Sequence, residues 1–158
     1  MSIQVRRAES DDIPAVKKLL SQVLEVHAKI RPDIFIPGTT KYTTEELEAI
    51  FADEKTPVFV AVGEDGQIKG HAFCVITRQP FSTNMKDFTT LYIDDICVDE
   101  GARGQHVGTA LYDHVINFAK ELGCYDVTLN VWEGNDAARS FYERMGMGIK
   151  ETMMEVIL

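Results

Sequence analysis

One apolar stripe, lying between two strand-like segments, constrains the fold of this chain most. Its members recur at three- and four-residue spacing: Val107, Leu111, Val115, Phe118 and Leu122. This spacing predicts an amphipathic helix, and Gly123 directly after it predicts the helix end. Strand-like segments flank the helix at 88–98 and 126–132. Because a strand, a helix and a strand in succession form a crossover between parallel strands, the late half of the chain predicts a β–α–β unit.

The rest of the chain predicts further strands and helices. Asp65 and Gly66 separate two strand-like runs, which is typical of an antiparallel hairpin. Thr43 and Glu46 have the spacing of a capping box at the start of a short helix. The other predicted elements are a strand at 3–8, a helix at 12–28, hairpin strands at 57–63 and 68–77, a helix that starts at Asn135 or Asp136 and stops at Gly146, and a strand at 153–158. The order βααβββαβαβ predicts an α/β fold in one domain over residues 1–158, with an α+β mixed sheet that is mostly antiparallel.

Charge and hydropathy exclude several classes of protein. The chain has 16 Lys and Arg against 25 Asp and Glu, a net charge of −9, which disfavours nucleic acid and favours a cationic partner. No apolar run approaches the roughly 18 residues of a membrane span, and the first residues lack the apolar core of a signal peptide. The three cysteines are odd in number and widely spaced, so they predict neither a disulfide framework nor a metal site. We therefore expect a cytoplasmic protein without metal.

A turn that contains glycines opens the central helix, within the run Arg-Gly-Gln-His-Val-Gly-Thr-Ala at 103–110. Free backbone amides and the positive end of a helix dipole at such a turn form an anion site suited to a pyrophosphate. The run lacks the three spaced glycines of a dinucleotide-binding fingerprint, and it lacks the lysine of a phosphate-binding loop. For an isolated turn of this kind, a packing role for Gly104 and Gly108 is the alternative interpretation.

Two motifs in this region resemble those of the GNAT superfamily of acyl-CoA-dependent N-acyltransferases. Residues 103–108 are similar to its Gln/Arg-x-x-Gly-x-Gly/Ala motif, although His106 stands where the family usually has glycine and Gln105 where many members have a basic residue. Residues 135–147 are similar to its Asn-x-x-Ala-x-x-Phe-Tyr-x-x-x-Gly-Phe/Met helix. The resemblance is specific over 92–147, and the order of elements extends it to nearly the whole chain. It implies a GNAT-like fold with about seven strands and about four helices.

The resemblance also implies acetyl-CoA as the acyl donor and assigns residues to it. The backbone of Ile96, Cys97 and Val98 would pair with the pantetheine arm. Asn135 would hydrogen-bond the same arm, although capping a helix is already a sufficient structural role. Tyr142 would donate a proton to the departing thiolate, with simple packing as the alternative. The residues implied to hold the pyrophosphate are Arg103, Gly104, Gln105, His106, Val107, Gly108 and Thr109.

Asp94 and Asp95 are unusual in an apolar strand. Strand alternation sends them to opposite faces, so we do not expect a close carboxylate pair, and which of them faces the acceptor stays open. One of them would act as a base or anchor a cationic amine, and the strand 92–98 resembles that of diamine and polyamine acetyltransferases. The alternative is a solvated or paired position at the sheet surface. Cys97 has no base beside it in sequence, so we predict packing rather than covalent catalysis.

The predicted function is transfer of an acetyl group from acetyl-CoA to a primary amine, by direct attack in a ternary complex. The net charge favours a small cationic amine or polyamine. A peptide N-terminus or lysine side chain stays open as the acceptor, as do a non-catalytic acyl-CoA-binding module and a structural protein. The family resemblance implies that the first two helices and their connecting loop, 27–42, hold the acceptor, often with the turn between strands 6 and 7. It is also compatible with a homodimer through the late strands. We expect no nucleic-acid and no membrane partner.

Overall fold

The computed structural model describes residues 2–79 and 82–158. Within them, five strands form one sheet in the order β1-β2-β3-β4-β5, with four helices on its two faces. In chain order the elements are β1 (Gln4–Arg7), α1 (Ile13–Ile30), α2 (Thr44–Ala52), β2 (Val58–Val62), β3 (Ile68–Arg78), β4 (Thr89–Val98), α3 (Val107–Glu121), β5 (Asp126–Leu129) and α4 (Asp136–Arg144). None of these helices is long and apolar enough to cross a membrane.

The predicted mixed sheet is confirmed. Strands β1 to β4 pair antiparallel, and α3 carries the chain from β4 to its parallel neighbour β5. The capping box is present, since the Thr43 hydroxyl accepts from the Glu46 amide at 3.2 Å while the Glu46 carboxylate accepts from the Thr43 amide at 3.0 Å. Gly66 has a φ of +78° in the hairpin turn, and Gly123 has a φ of +76° after α3, as their positions predicted.

Alternation along the central strands builds two apolar layers. On β2, Phe59 and Ala61 face α3, whereas Val58 and Val60 face α1 and α2. The α3 layer includes Leu111 and is buried almost completely. Because both faces of the sheet are covered, β2 and β3 are held rigidly, and they in turn position β4.

Gly70 on β3 allows α3 to approach the sheet closely. A Cβ atom there would lie 2.7 Å from the carbonyl oxygen of Cys97 and 3.0–3.1 Å from side-chain carbons of Val107 and Leu111. We therefore expect Gly70→Ala to lower the free energy of unfolding by about 1–3 kcal/mol, the range typical of overpacking. Urea unfolding would measure it. Gly148→Ala is the matched control, since its Cβ would meet no atom within 4 Å, and equal effects of the two substitutions would contradict the packing account.

Three expectations about the strands were wrong. The sheet has five strands in the described residues rather than about seven, and 153–158 forms no strand. These residues alternate suitably, but none of the described strands pairs with them. The predicted buried strand at 126–132 is shorter, Asp126–Leu129, and only half-buried, because β4 is its single hydrogen-bonded neighbour among the described strands. An apolar pattern alone does not reveal whether a partner strand is available.

The pairing of strand β4 with both of its neighbours changes near Asp94. The register on β3 passes from Phe73 opposite Asp95 to Cys74 opposite Ile93, so Asp94 is the extra residue of a β-bulge. The pairing of β4 with β5 ends at Ile93, opposite Leu129. A bulge bends a strand and redirects its side chains. Beyond Ile93 the two strands therefore separate, and the resulting gap positions the site.

Candidate active site

The gap between β4 and β5 exposes a free strand edge. Residues 95–98 of β4 keep their pairing with β3 on one side and have no described strand on the other. The backbone N–H and C=O groups of Ile96, Cys97 and Val98 therefore lie along an edge that can accept an extended ligand as an additional strand. A carbonyl placed against one of these N–H groups would be polarised by it.

Asp95 projects from this edge toward α1, and a buried histidine holds it. The Nε2 atom of His71, on β3, lies 2.6 Å from Oδ2 of Asp95. The His71 side chain is 0% exposed and that of Asp95 is 15% exposed. His71 stands diagonally across the β3–β4 ladder from Asp95, on the same face of the sheet. The pair thus places one oxygen of a fixed carboxylate at the edge of a cleft.

The environment of His71 indicates which ring nitrogen donates to Asp95. Its Nδ1 atom is buried and has no partner among the described residues, while its ring packs edge-on against Phe73 at 4.8 Å. A proton on Nδ1 would be a buried donor without an acceptor, which costs more than an unused lone pair. We therefore assign Nε2–H of His71 as the donor to Asp95. Sequence reasoning missed His71, although an ionisable residue within an apolar strand was the available signal.

Asp94 has a different partner. Its carboxylate lies 3.0 Å from Nζ of Lys41, which comes from the loop between α1 and α2. The two neighbouring acids thus have different partners and do not form a pair with each other. The Lys41 ammonium also lies over the Tyr42 ring at 5.2 Å. This ion pair fastens the loop to the bulge of β4.

Tyr142 approaches the same edge from α4. Burial raises its pKa well above the usual 10, and the charge of Asp95 and the groups of Tyr112 and Cys97 add to the shift. The hydroxyl is therefore protonated at neutral pH. None of the described protein groups lies within hydrogen-bond distance of it, so its proton is available to a ligand in the cleft.

Aromatic side chains form the far wall of the cleft. Phe35 packs against His27 of α1 at 5.2 Å and edge-on against Trp132 at 5.5 Å. Burial lowers the pKa of His27, and the Asp95 charge opposes this shift, which places His27 near the carboxylate. Phe35, in the loop between α1 and α2, thus lines the cleft, whereas its neighbours Ile34 and Ile36 are exposed.

The start of α3 lies beside the cleft. His106 occupies the N-cap position and provides no side-chain hydrogen bond, so among the described residues the first amides of α3 have no capping side chain. Gly108 lies against the Phe141 ring, where an added Cβ would be 3.4 Å away. The two sequence motifs therefore meet in space. Free amides, the helix dipole and the exposed Arg103 beside them can hold an anionic group such as a pyrophosphate.

His106 is strained in this turn. Its φ of 62° and ψ of 22° are left-handed, and it is the one non-glycine residue with positive φ in the described chain. We expect His106→Gly to raise the free energy of unfolding by up to about 1 kcal/mol. The relieved strain, about 1–2 kcal/mol, exceeds the cost of a more flexible unfolded chain, about 0.5–1 kcal/mol. Thermal unfolding would measure it, with Gln105→Gly as the control that should only destabilise. A His106→Gly protein less stable than the parent would refute this account.

Two further predicted residues have structural partners. Cys97 is buried, its Sγ lies 3.3 Å from the Leu19 carbonyl oxygen, and burial raises its pKa to about 12. A thiol with that pKa is not a nucleophile at neutral pH. The Asn135 side chain accepts from the Ala138 amide at 3.3 Å and so caps α4. No group of three or more potential metal ligands occurs in the described ranges.

Comparisons with known proteins agree with this geometry. The model of the acetyltransferase (GNAT) family matches residues 22–147. Among solved structures, a mutant of the BH1408 protein from Bacillus halodurans superposes with a TM-score of 0.94 at 32% identity, covering 98% of this chain and 99% of that one.

Curated relatives differ in the acceptor that they are named for. Streptothricin acetyltransferase from Streptomyces lavendulae is 37% identical over 95 residues, which are 60% of this chain and 45% of that protein. The peptidyl-lysine N-acetyltransferase YjaB from Escherichia coli K12 is 30% identical over 115 residues, which are 73% of this chain and 65% of that protein. The chain thus spans less than two thirds of the length of either relative.

Proposed function

Since this chain belongs to the GNAT family of acetyltransferases and is an acyltransferase, we propose that it transfers an acetyl group from acetyl-CoA to a small cationic primary amine, in the cytoplasm. The observation that carries the proposal is the arrangement around the free edge of β4. Asp95, held by His71, and Tyr142, with a free hydroxyl, border the same short stretch of strand.

Donor binding uses two features of the chain. The amides at 103–109 and the dipole of α3 receive the pyrophosphate, while the edge of Ile96, Cys97 and Val98 takes the pantetheine arm as an added strand. One N–H of this edge then polarises the thioester carbonyl and stabilises the oxyanion that develops on it. In this arrangement Asn135 caps α4 through its side-chain oxygen and hydrogen-bonds the same arm through its side-chain NH2 group.

Asp95 prepares the acceptor. An alkylammonium has no lone pair, and its pKa of about 10.4 for lysine keeps it protonated at neutral pH. Asp95 removes one proton from the ammonium, directly or through one water, and His71 keeps the carboxylate oriented. The amine nitrogen then forms a bond to the thioester carbon.

Tyr142 completes the transfer. As the carbon–sulfur bond breaks, the electron pair goes to sulfur, and the Tyr142 hydroxyl gives its proton to the departing thiolate. The nitrogen loses its second proton to solvent as the amide forms, Tyr142 recovers a proton from solvent, and Asp95 releases the one that it removed. The raised pKa of the Cys97 thiol supports direct attack rather than an acyl-cysteine route.

Charge and shape support a small cationic acceptor. The chain has a net charge of −9, and two carboxylates border the cleft. Phe35 and Trp132 provide an aromatic wall suited to an alkyl chain or a cation. A peptide lysine is the second candidate, favoured by the similarity to a peptidyl-lysine acetyltransferase.

Thermal unfolding with acetyl-CoA tests the donor site. At 100 times its dissociation constant, a ligand stabilises a protein by about 2.7 kcal/mol, which for a chain of this size raises Tm by about 5–10 °C. NAD at the same concentration is the control and should cause no shift. Release of free CoA with spermidine, compared with a lysine-containing peptide, then identifies the acceptor class. Absence of a shift at millimolar acetyl-CoA would refute the proposal, and turnover with the peptide alone would replace the acceptor.

A further inference from the structure

Lys41 places a primary ammonium of the chain itself beside the candidate active site. Its Nζ atom lies 3.0 Å from Oδ2 of Asp94, the bulge residue of β4, and its side chain is 54% exposed. Of the lysines that have an ion pair in the described part of the chain, Lys41 is the one whose partner belongs to β4. A lysine ammonium held on a carboxylate next to Asp95 has the chemistry of the cationic amine proposed above as the acceptor.

The residue that follows Lys41 connects it to Asp95. The Tyr42 ring stacks on the Phe73 ring at 5.9 Å, and Phe73 stands directly opposite Asp95 in the β3–β4 ladder. Phe73 also packs edge-on against His71, which holds the Asp95 carboxylate. Lys41 therefore enters the site on the face of the sheet on which Asp95 lies.

Two further observations place the Lys41 ammonium near the Asp95 carboxylate. The bulge interrupts the alternation of β4, so Asp94 and Asp95 are not forced to opposite faces. Burial lowers the pKa of His27, while the Asp95 charge raises this pKa and the Lys41 charge lowers it further. Because a charge shifts a pKa mainly from within about 4–6 Å, both groups lie close to this one imidazole of α1.

The loop before Lys41 is fastened to α1. The Gly38 amide donates to the Glu25 carboxylate at 2.7 Å, and the hydroxyls of Thr40 and Ser21 lie 3.2 Å apart. The backbone is thus held in place, while the exposed four-carbon side chain of Lys41 is flexible. Because the Cα atoms of consecutive residues lie about 3.8 Å apart, rotation of this side chain can carry Nζ from one acid of β4 to the next. An amine held in this way reacts at a high effective concentration.

The resting state of Lys41 prevents its reaction without catalysis. Partial burial lowers its pKa, but the hydrogen bond and the charge of Asp94 outweigh this effect and raise the pKa above its ordinary value. The amine is therefore an ammonium at neutral pH and has no lone pair for attack. Acetylation of Lys41 thus requires a base that removes a proton, and Asp95 is the base already proposed for this site.

We propose that the protein acetylates its own Lys41, so that this residue is an acceptor within the chain. The inference rests on the proposed function, since acetyl-CoA is the donor and Asp95 and Tyr142 have the roles given above. The product is a lysine side chain without a positive charge. Acetylation therefore breaks the ion pair with Asp94 that fastens the loop to β4.

The transfer needs no reactant besides acetyl-CoA. Asp95 takes one proton from the Lys41 ammonium, and the nitrogen forms a bond to the thioester carbon. As the carbon–sulfur bond breaks, its electron pair goes to sulfur, and Tyr142 donates a proton to the departing thiolate. The nitrogen loses its second proton to solvent. The products are an Nε-acetylated Lys41 and free CoA.

Mass spectrometry of the full chain incubated with acetyl-CoA tests this proposal. The intact mass is expected to rise by one acetyl group, and peptide mapping should place this group on Lys41. Asp95→Asn and Tyr142→Phe should each slow the modification by about 10²–10⁴-fold, because each removes a proton-transfer group. Lys41→Arg keeps the charge that pairs with Asp94 and should remain unmodified. Lys29→Arg is the matched control, since it replaces an exposed lysine in the last turn of α1, and it should be modified like the parent protein.

The dependence on protein concentration tests transfer within one molecule. At a fixed concentration of acetyl-CoA, the fraction of Lys41 modified per unit time should stay the same when the protein is diluted. A fraction that rises with protein concentration would show transfer between two copies of the chain and would overturn the proposal.

The donor assay on the same samples separates this inference from the proposed function. An unmodified Lys41 in a protein that acetyl-CoA stabilises against heat would overturn this inference and leave the donor site standing. Absence of thermal stabilisation, of CoA release and of modification would overturn both. Equal modification of Lys41 in the Asp95→Asn protein, or equal modification of the exposed Lys29 and Lys86, would show uncatalysed acetylation and would also overturn this inference.

Discussion

Tyr142→Phe is expected to lower kcat for acetyl transfer by about 10²–10⁴-fold, with little change in the affinity for acetyl-CoA. The substitution removes only the hydroxyl, so the ring keeps its packing against Phe141 at 5.2 Å. General acid catalysis by a positioned side chain contributes a factor of this size. Because burial raises the pKa of Tyr142 above 10, the hydroxyl stays protonated between pH 6 and 9, and the loss should be the same across that range. Steady-state kinetics of CoA release would measure it.

Tyr112→Phe is the control for this result. Tyr112 is a buried tyrosine of α3 whose ring meets Phe141 edge-on at 6.3 Å, so it belongs to the same aromatic cluster. Loss of the Tyr112 hydroxyl should leave kcat within about threefold of the parental value, because this hydroxyl is assigned no part in the transfer. A Tyr142→Phe enzyme that kept half of the parental kcat would exclude Tyr142 as the acid.

Asp95→Asn is expected to have the second large effect. We expect it to lower kcat/KM for acetyl transfer by about 10²–10⁴-fold. The amide oxygen of asparagine can still accept from Nε2–H of His71, so the fold and the geometry of the cleft should be retained. What is lost is the ability to take a proton from the ammonium. Asp94→Asn is the matched control. It breaks the ion pair with Lys41 and should change KM for the acceptor more than kcat.

Substitutions of His71 test the residue that orients the Asp95 carboxylate. His71→Leu removes the donor to Asp95, whereas His71→Gln places an amide N–H near the same position. We expect kcat to fall by about tenfold or more in the leucine variant and to recover partly in the glutamine variant. If both variants lose the same activity, His71 contributes only packing. If Asp94→Asn is the more damaging of the two acid substitutions, the base is Asp94 and the assignment of Asp95 is wrong.

Much of the site could be predicted because its signals are local. The free amides at the start of α3 depend on a turn and a helix that are both encoded within 103–122. The cap at Asn135 and the apolar stripe of α3 also depend on residues a few positions apart. The pair of His71 with Asp95 depends instead on the register between two strands, so no spacing in the sequence reveals it. The bulge at Asp94 is likewise a property of two strands together.

At the end of the chain, the local sequence pattern did not predict the structure correctly. Residues 153–158 have the alternation of a strand, yet they form none within the chain, because a strand requires a neighbour with free backbone groups in register. Sequence alone determined the element order, the β–α–β crossover, the acidic charge and the family of this protein, since these follow from local periodicity and motif spacing. Only the tertiary structure decided which acid is held by a histidine, where β4 leaves β5, and that residues 153–158 form no strand. Each of these depends on contacts between residues far apart in the chain.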